Sequence, residues 1–138
     1  MDATQQLNAL MENMFSTGLL DNEFNNLKLL QDSNNPNAVS EVIMIFCDDG
    51  EQTIAELAKL LNQPSVDYER VSTFAHKIMG ASASVGAKRV RNTCTLLCDF
   101  CKDKNNHGCL NTLDSVWIEF DNLRNKFHTM IQIDHLIC

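Results

Sequence analysis

The chain has 138 residues, the size of one ordinary domain, and its 44% hydrophobic content suits a packed core and not a disordered segment. Eighteen acidic residues against eleven basic give a formal charge of −7, which excludes a general attraction to nucleic acid or to an anionic membrane. The longest uninterrupted apolar run, Val42 to Cys47, is far short of a membrane span, and the N-terminal stretch has neither the basic cluster nor the apolar block of a targeting segment, so a soluble intracellular protein is expected.

Apolar residues recur at three and four, no alternating strand pattern has useful length, and helices are predicted throughout. Residues 3–16 and 20–32 read as two short helices separated by the breaker Ser16-Thr17-Gly18, with Leu7, Leu10, Met11 and Met14 lining the first. Asn35 and Pro36 read as an N-cap and a first helical residue. From there Val39, Val42, Ile43, Phe46, Ile54, Leu57 and Leu61 form one stripe to residue 62, with Gly50 marking a kink. Gln63-Pro64-Ser65 ends that helix, and Asp67 caps the next, which carries His76.

Val85-Gly86-Ala87 reads as a tight break before a helix over residues 87–103, with Val90, Cys94, Leu97 and Cys101 facing inward. Lys102 to Gly108 is a predicted polar loop. The last helix, 109–134, turns Leu113, Val116, Trp117, Phe120, Leu123, Phe127 and Ile131 to the core. The expected fold is all-α: one domain over residues 1–138, with an antiparallel four-helix bundle at 36–134 and two additional N-terminal helices at 3–32 covering one end. A monomer is expected.

Six cysteines in an intracellular chain are expected to be reduced. Cys94, Cys98 and Cys101 share one helix face with no histidine placed to complete a tetrahedral site, so they read as small buried thiols and no metal is assigned. Cys47, Cys109 and Cys138 are too scattered to form a motif. No Ser-His-Asp arrangement, glycine-rich phosphate loop or His-Glu-x-x-His motif is present, so no enzyme active site is expected.

His76 is the residue the pattern singles out. At 100° per residue, Val71, Phe74, Ala75 and Ile78 cluster on one face of its helix, and His76 points about 150° away from them. Ser72, Thr73, Met79, Gly80 and Ala83 surround it, most of them small. A glycine inside a helix costs about 1 kcal/mol relative to alanine, and Gly80, one turn on, clears an approach for a large partner. An imidazole in water is mostly neutral near pH 7 and offers a lone pair for attack. That arrangement suits a nucleophile reached by another protein's phosphoryl group. Taken alone, it also fits a merely solvated histidine, the reading given to His107, His128 and His135.

The run His76-Lys77-Ile78-Met79-Gly80-Ala81-Ser82-Ala83-Ser84-Val85-Gly86-Ala87-Lys88-Arg89-Val90 resembles the signature of plant histidine-containing phosphotransfer proteins: His, two variable residues, Lys, Gly, a serine-rich run, Ile-Gly-Ala and a basic pair. Gln31-Asp32, Asn35-Pro36-Asn37, Phe100-Cys101 and Gly108-Cys109-Leu110 extend the resemblance over nearly the whole chain. It implies that His76 accepts phosphate from the receiver-domain aspartate of a hybrid sensor kinase and passes it to a response regulator, in cytokinin-type signalling. It also implies a carrier without kinase activity of its own, no cofactor on this chain, magnesium on the receiver, and residence in cytoplasm and nucleus.

Lys77, Met79, Gly80, Ala83, Lys88 and Arg89 are the expected phosphate surroundings or receiver-docking residues. Two positions depart from the pattern: Met79 stands where the family usually has the lysine thought to lie beside the phosphate, and Ala81 replaces the first serine. Lys77 projects about 100° from His76 around the helix and does not substitute geometrically. The departures motivate an alternative, a receiver-binding decoy that competes with active carriers without transferring phosphate.

Overall fold

The computed structural model describes residues 1–137 and contains, among them, six helices: α1 (Ala3–Ser16), α2 (Glu23–Lys28), α3 (Ala38–Leu61), α4 (Tyr68–Val85), α5 (Lys88–Lys102) and α6 (Asn106–Ile137). Helices α3 to α6 form the antiparallel bundle; α1 packs along the distal part of α6, and α2 lies against α4 and α3. One buried cluster joins all six. Phe24 of α2 stacks on Phe127 of α6 with ring centroids 6.0 Å apart, and Phe46 of α3 meets Phe120 of α6 at 5.8 Å. The first pair ties α2 to the same core as the bundle.

Local side-chain chemistry sets the boundaries. Asp2 and Gln5 form a capping box on α1, and the Asp67 carboxylate accepts the Arg70 N–H at the start of α4, the cap expected from the sequence. Three helices depart from their expected bounds. The second helix shrinks from 20–32 to Glu23–Lys28 because the Asp21 N–H donates to the Gly86 carbonyl and its carboxylate takes the Glu23 N–H, holding the preceding chain out of helix. Helix α3 starts at Ala38, not at Pro36. The Asp32 carboxylate accepts the N–H groups of Asn34 and Asn35, each at 2.9 Å, and winds residues 32–35 into a turn first. Helix α6 begins three residues earlier than expected because the Asn105 side chain accepts the Gly108 N–H at 2.9 Å, and it continues to Ile137.

Gly50 does not interrupt α3, which runs through it as one helix. A Cβ there would overlap the Phe120 ring, so the glycine admits an aromatic side chain from α6 where a kink was expected. Trp117 is also displaced from its expected place. It is 38% exposed, with the Arg124 guanidinium 5.2 Å from its ring centroid, while Phe120 takes the inward position.

Cys47, Cys94, Cys98, Cys101 and Cys109 are buried free thiols, and Cys138 lies outside the described residues. Burial pushes the Cys94 thiol up to about 12, with Cys98 adding to it, and burial together with Cys109 does the same to Cys101. Thiols of this kind stay protonated at neutral pH and pack as small hydrophobes.

Candidate functional site

The α4–α5 hairpin builds the surroundings of His76. Gly86 ends α4 in the left-handed conformation (φ 75°), where its N–H donates to the Ala83 carbonyl and the Ala87 N–H donates to that of Ser82. A Cβ at Gly86 would fall 2.5 Å from the Phe24 backbone nitrogen, so no other residue suits this corner. Folding back at Ala87 sets residues equally distant from it side by side: His76 meets Cys98, and Met79 meets Thr95.

His76 is exposed on α4, on the face opposite buried Val71, Ala75 and Ile78. Its Nδ1 lies 2.7 Å from the Ser72 carbonyl oxygen, 3.2 Å from Ser72 Oγ and 3.7 Å from Cys98 Sγ. A carbonyl oxygen only accepts, so at 2.7 Å the ring nitrogen donates and carries the hydrogen. In the neutral ring Nε2 is then the nitrogen with the free lone pair.

The other expected residues fall into two groups. Gly80 is exposed, with nothing within 4 Å of where a Cβ would stand, so the space beside His76 is open. Lys77 is exposed and Ala83 half-buried. Met79 does not stand free: it packs against the core, and its sulfur accepts a hydrogen bond from Thr95 Oγ1 at 3.4 Å. The basic pair is not brought to His76. Arg89 is held by both carboxylate oxygens of Glu119 on α6, at 2.5 and 3.0 Å, and its nine-residue spacing from Cys98 turns it about 180° away around α5. Lys88 is exposed, about 15 Å along the α5 axis from Cys98.

Ser72 and Cys98 complete the immediate setting of the imidazole. The Ser72 contacts follow from the i−4 position on the same helix, but Cys98 joins only through the pairing of two helices. The three remaining histidines are exposed, and among the described residues none has such a setting; His107 is 3.2 Å from the Asn111 side-chain amide.

Gly80 allows a test of the open space. Gly80→Ala is expected to stabilise the protein by about 1 kcal/mol, since it removes glycine's helix penalty without a clash. On the expectation set by the sequence resemblance, that His76 takes phosphate from a receiver, Gly80→Leu is expected to keep the fold while slowing that uptake by roughly tenfold or more. Thermal melts and labelling rates check both; unchanged labelling in the leucine variant would show that the gap serves no approach.

Comparison with known proteins gives the class first: residues 41–132 match the Hpt domain. Histidine-containing phosphotransfer protein 1 of Oryza sativa subsp. japonica is 52% identical over 134 residues, spanning 97% of this chain and 91% of that protein. The crystal structure of a histidine-containing phosphotransfer protein from maize matches with a TM-score of 0.95 at 47% identity, covering 99% of both chains. A more distant relative, pseudo histidine-containing phosphotransfer protein 6 of Arabidopsis thaliana, is 35% identical over 93% of this chain and 84% of its own length. The chain belongs to the histidine-containing phosphotransfer family.

Proposed function

We propose that this protein is a phosphorelay intermediate that accepts a phosphoryl group on His76 Nε2 from a receiver-domain aspartate and hands it to an aspartate of a response regulator. The observation that carries the reading is the bond from Nδ1 to the Ser72 carbonyl, which leaves Nε2 unprotonated on an exposed helix face beside an open glycine. In the forward step the Nε2 lone pair forms the N–P bond as the P–O bond to the aspartate breaks, and the carboxylate departs with the electron pair. No proton has to leave Nε2. The positive charge that develops on the ring is shared through Nδ1–H with the Ser72 carbonyl. The return step reverses these changes.

In this reading the protein is a carrier and no kinase, with no cofactor of its own; the receiver supplies the aspartate and its magnesium. Its partners are receiver domains of hybrid kinases and response regulators, and the family resemblance extends this to cytokinin signalling in cytoplasm and nucleus. No helix among the described residues is long and apolar enough to cross a membrane. Met79, Gly80 and Ala83, with Lys77 at the edge, form the proposed landing surface. Lys88 serves as a peripheral contact, while Arg89 holds α5 to α6.

Met79 sets the rate within this reading. A lysine at this position would add one exposed cation–phosphate pair, worth about 1 kcal/mol or roughly fivefold in rate. Met79→Lys is therefore expected to speed labelling or lengthen phosphohistidine lifetime. Rates equal to those of the natural chain would show that the methionine costs nothing. The same substitution of Met79, together with Ala81, favours the second reading, a decoy that binds receivers and takes no phosphate. Receiver binding without label on His76 is its signature.

A further inference from the structure

Although His76 is exposed, one edge of its ring is enclosed. Two of the three polar groups around Nδ1 belong to Ser72, one turn back on the same helix. The third, Cys98 Sγ at 3.7 Å, comes from α5 and is fixed in the core, where Cys98 is only 5% exposed. Resting on the reading of His76 as phosphate acceptor, we propose that Cys98 is a positioning residue for that nucleophile: its thiol closes the Nδ1 edge of the imidazole against rotation and water, so that Nε2 presents the lone pair to the partner.

The choice of sulfur has a chemical reason. A thiol is a weak donor and a weak acceptor, so it fills the space beside Nδ1 without competing with the Ser72 carbonyl for the ring hydrogen. A second hydroxyl in its place, added to that of Ser72 at 3.2 Å, would be a further strong donor to Nδ1. It would favour the tautomer with hydrogen on Nε2, and that tautomer has no lone pair to attack phosphorus. The thiol must also stay neutral, because a thiolate would hold the ring as a charged pair. Burial, helped by Asp99 and opposed by Lys102, holds the Cys98 thiol above its ordinary range. The Ser72 carbonyl at 2.7 Å then selects the tautomer, and Cys98 preserves that selection by keeping water and any donor beyond the Ser72 hydroxyl from the same nitrogen.

The test compares the natural chain with Cys98→Ser and Cys98→Ala. Long-range proton–nitrogen NMR of nitrogen-15-labelled protein reads which ring nitrogen of His76 is protonated in the free protein, and uptake of label from a phosphorylated receiver reads the rate. The natural chain is expected to carry its hydrogen on Nδ1. Cys98→Ser is expected to shift the population toward Nε2–H and to slow labelling roughly tenfold, with receiver affinity unchanged within about twofold. Cys98→Ala, which admits water, is expected to fall between. Thermal melts establish that each variant is folded, and the alanine variant keeps the test open if the serine variant is not. An unchanged tautomer signature and labelling rate in both variants would overturn the assignment. A natural chain that takes no label overturns the relay reading instead, and the tautomer comparison in the free protein still decides the role of Cys98.

Discussion

His76→Gln is expected to abolish phosphate uptake while leaving helicity, melting temperature and receiver binding essentially unchanged. A glutamine amide nitrogen has its lone pair delocalised into the carbonyl and does not attack phosphorus, so the loss is of the nucleophile itself and not of a rate factor. The fold is spared because the side chain is exposed and its bonds to Ser72 are local to one helix. Net loss of such an exposed hydrogen bond is worth about 1 kcal/mol at most. Acid-labile labelling, circular dichroism and a receiver-binding isotherm measure the three quantities. Label persisting in the variant would place the acceptor elsewhere, and His107, His128 and His135 are the other imidazoles to examine.

The largest structural effect is expected at Gly86. Gly86→Ala puts a side chain at φ 75°, a conformation costing about 1–2 kcal/mol for a non-glycine residue. It also drives a methyl group against the Phe24 backbone nitrogen and the Asp21 carbonyl, at 2.5 and 3.2 Å, and backbone cannot swing aside. The combined cost is about 2–4 kcal/mol, or a fall in melting temperature of roughly 10 °C for a chain of this size. The damage would reach the site, because this corner also sets the register that pairs His76 with Cys98. Gly80→Ala lies in the same helix and should change stability in the opposite direction. Thermal melts of the two variants are the measurement; equal shifts would mean that neither the left-handed corner nor the clash governs Gly86.

Gly86 also shows how far the sequence was legible. The break at Val85-Gly86-Ala87 is plain in the chain, and the Cys98 contact is implicit in it, since His76 and Cys98 each stand eleven residues from Ala87. Periodicity within a single helix does not reveal this; only folding one helix on the other does. The apolar stripes place His76 on the polar face and the cysteines in the core because burial is a property of one helix at a time. Helix ends were less readable where a side chain competes for backbone N–H groups. Asp32, Asp21 and Asn105 each moved a boundary by capping a turn that local propensity does not distinguish from its neighbours. Gly50 looked like a breaker, but its partner Phe120 is seventy residues away. Arg89 looked available for a phosphate until Glu119 of another helix engaged it.

Two structural facts bear on the choice between carrier and decoy. The histidine is present and exposed, with Nδ1 2.7 Å from the Ser72 carbonyl oxygen, an arrangement that favours a free lone pair on Nε2 and so a carrier. The sulfur of Met79 is directed toward Thr95, so this position lends the phosphate no charge. A slower carrier fits both facts.

The most direct measurement mixes the purified chain with a radiolabelled phosphorylated receiver domain, follows acid-labile, base-stable phosphate over time, and maps it to a peptide. The relay account expects label to approach one phosphate per chain, on the peptide containing His76, and to leave again when a second, unphosphorylated receiver is added. A chain that binds the receiver and takes no label, or takes it on another residue, would contradict the account.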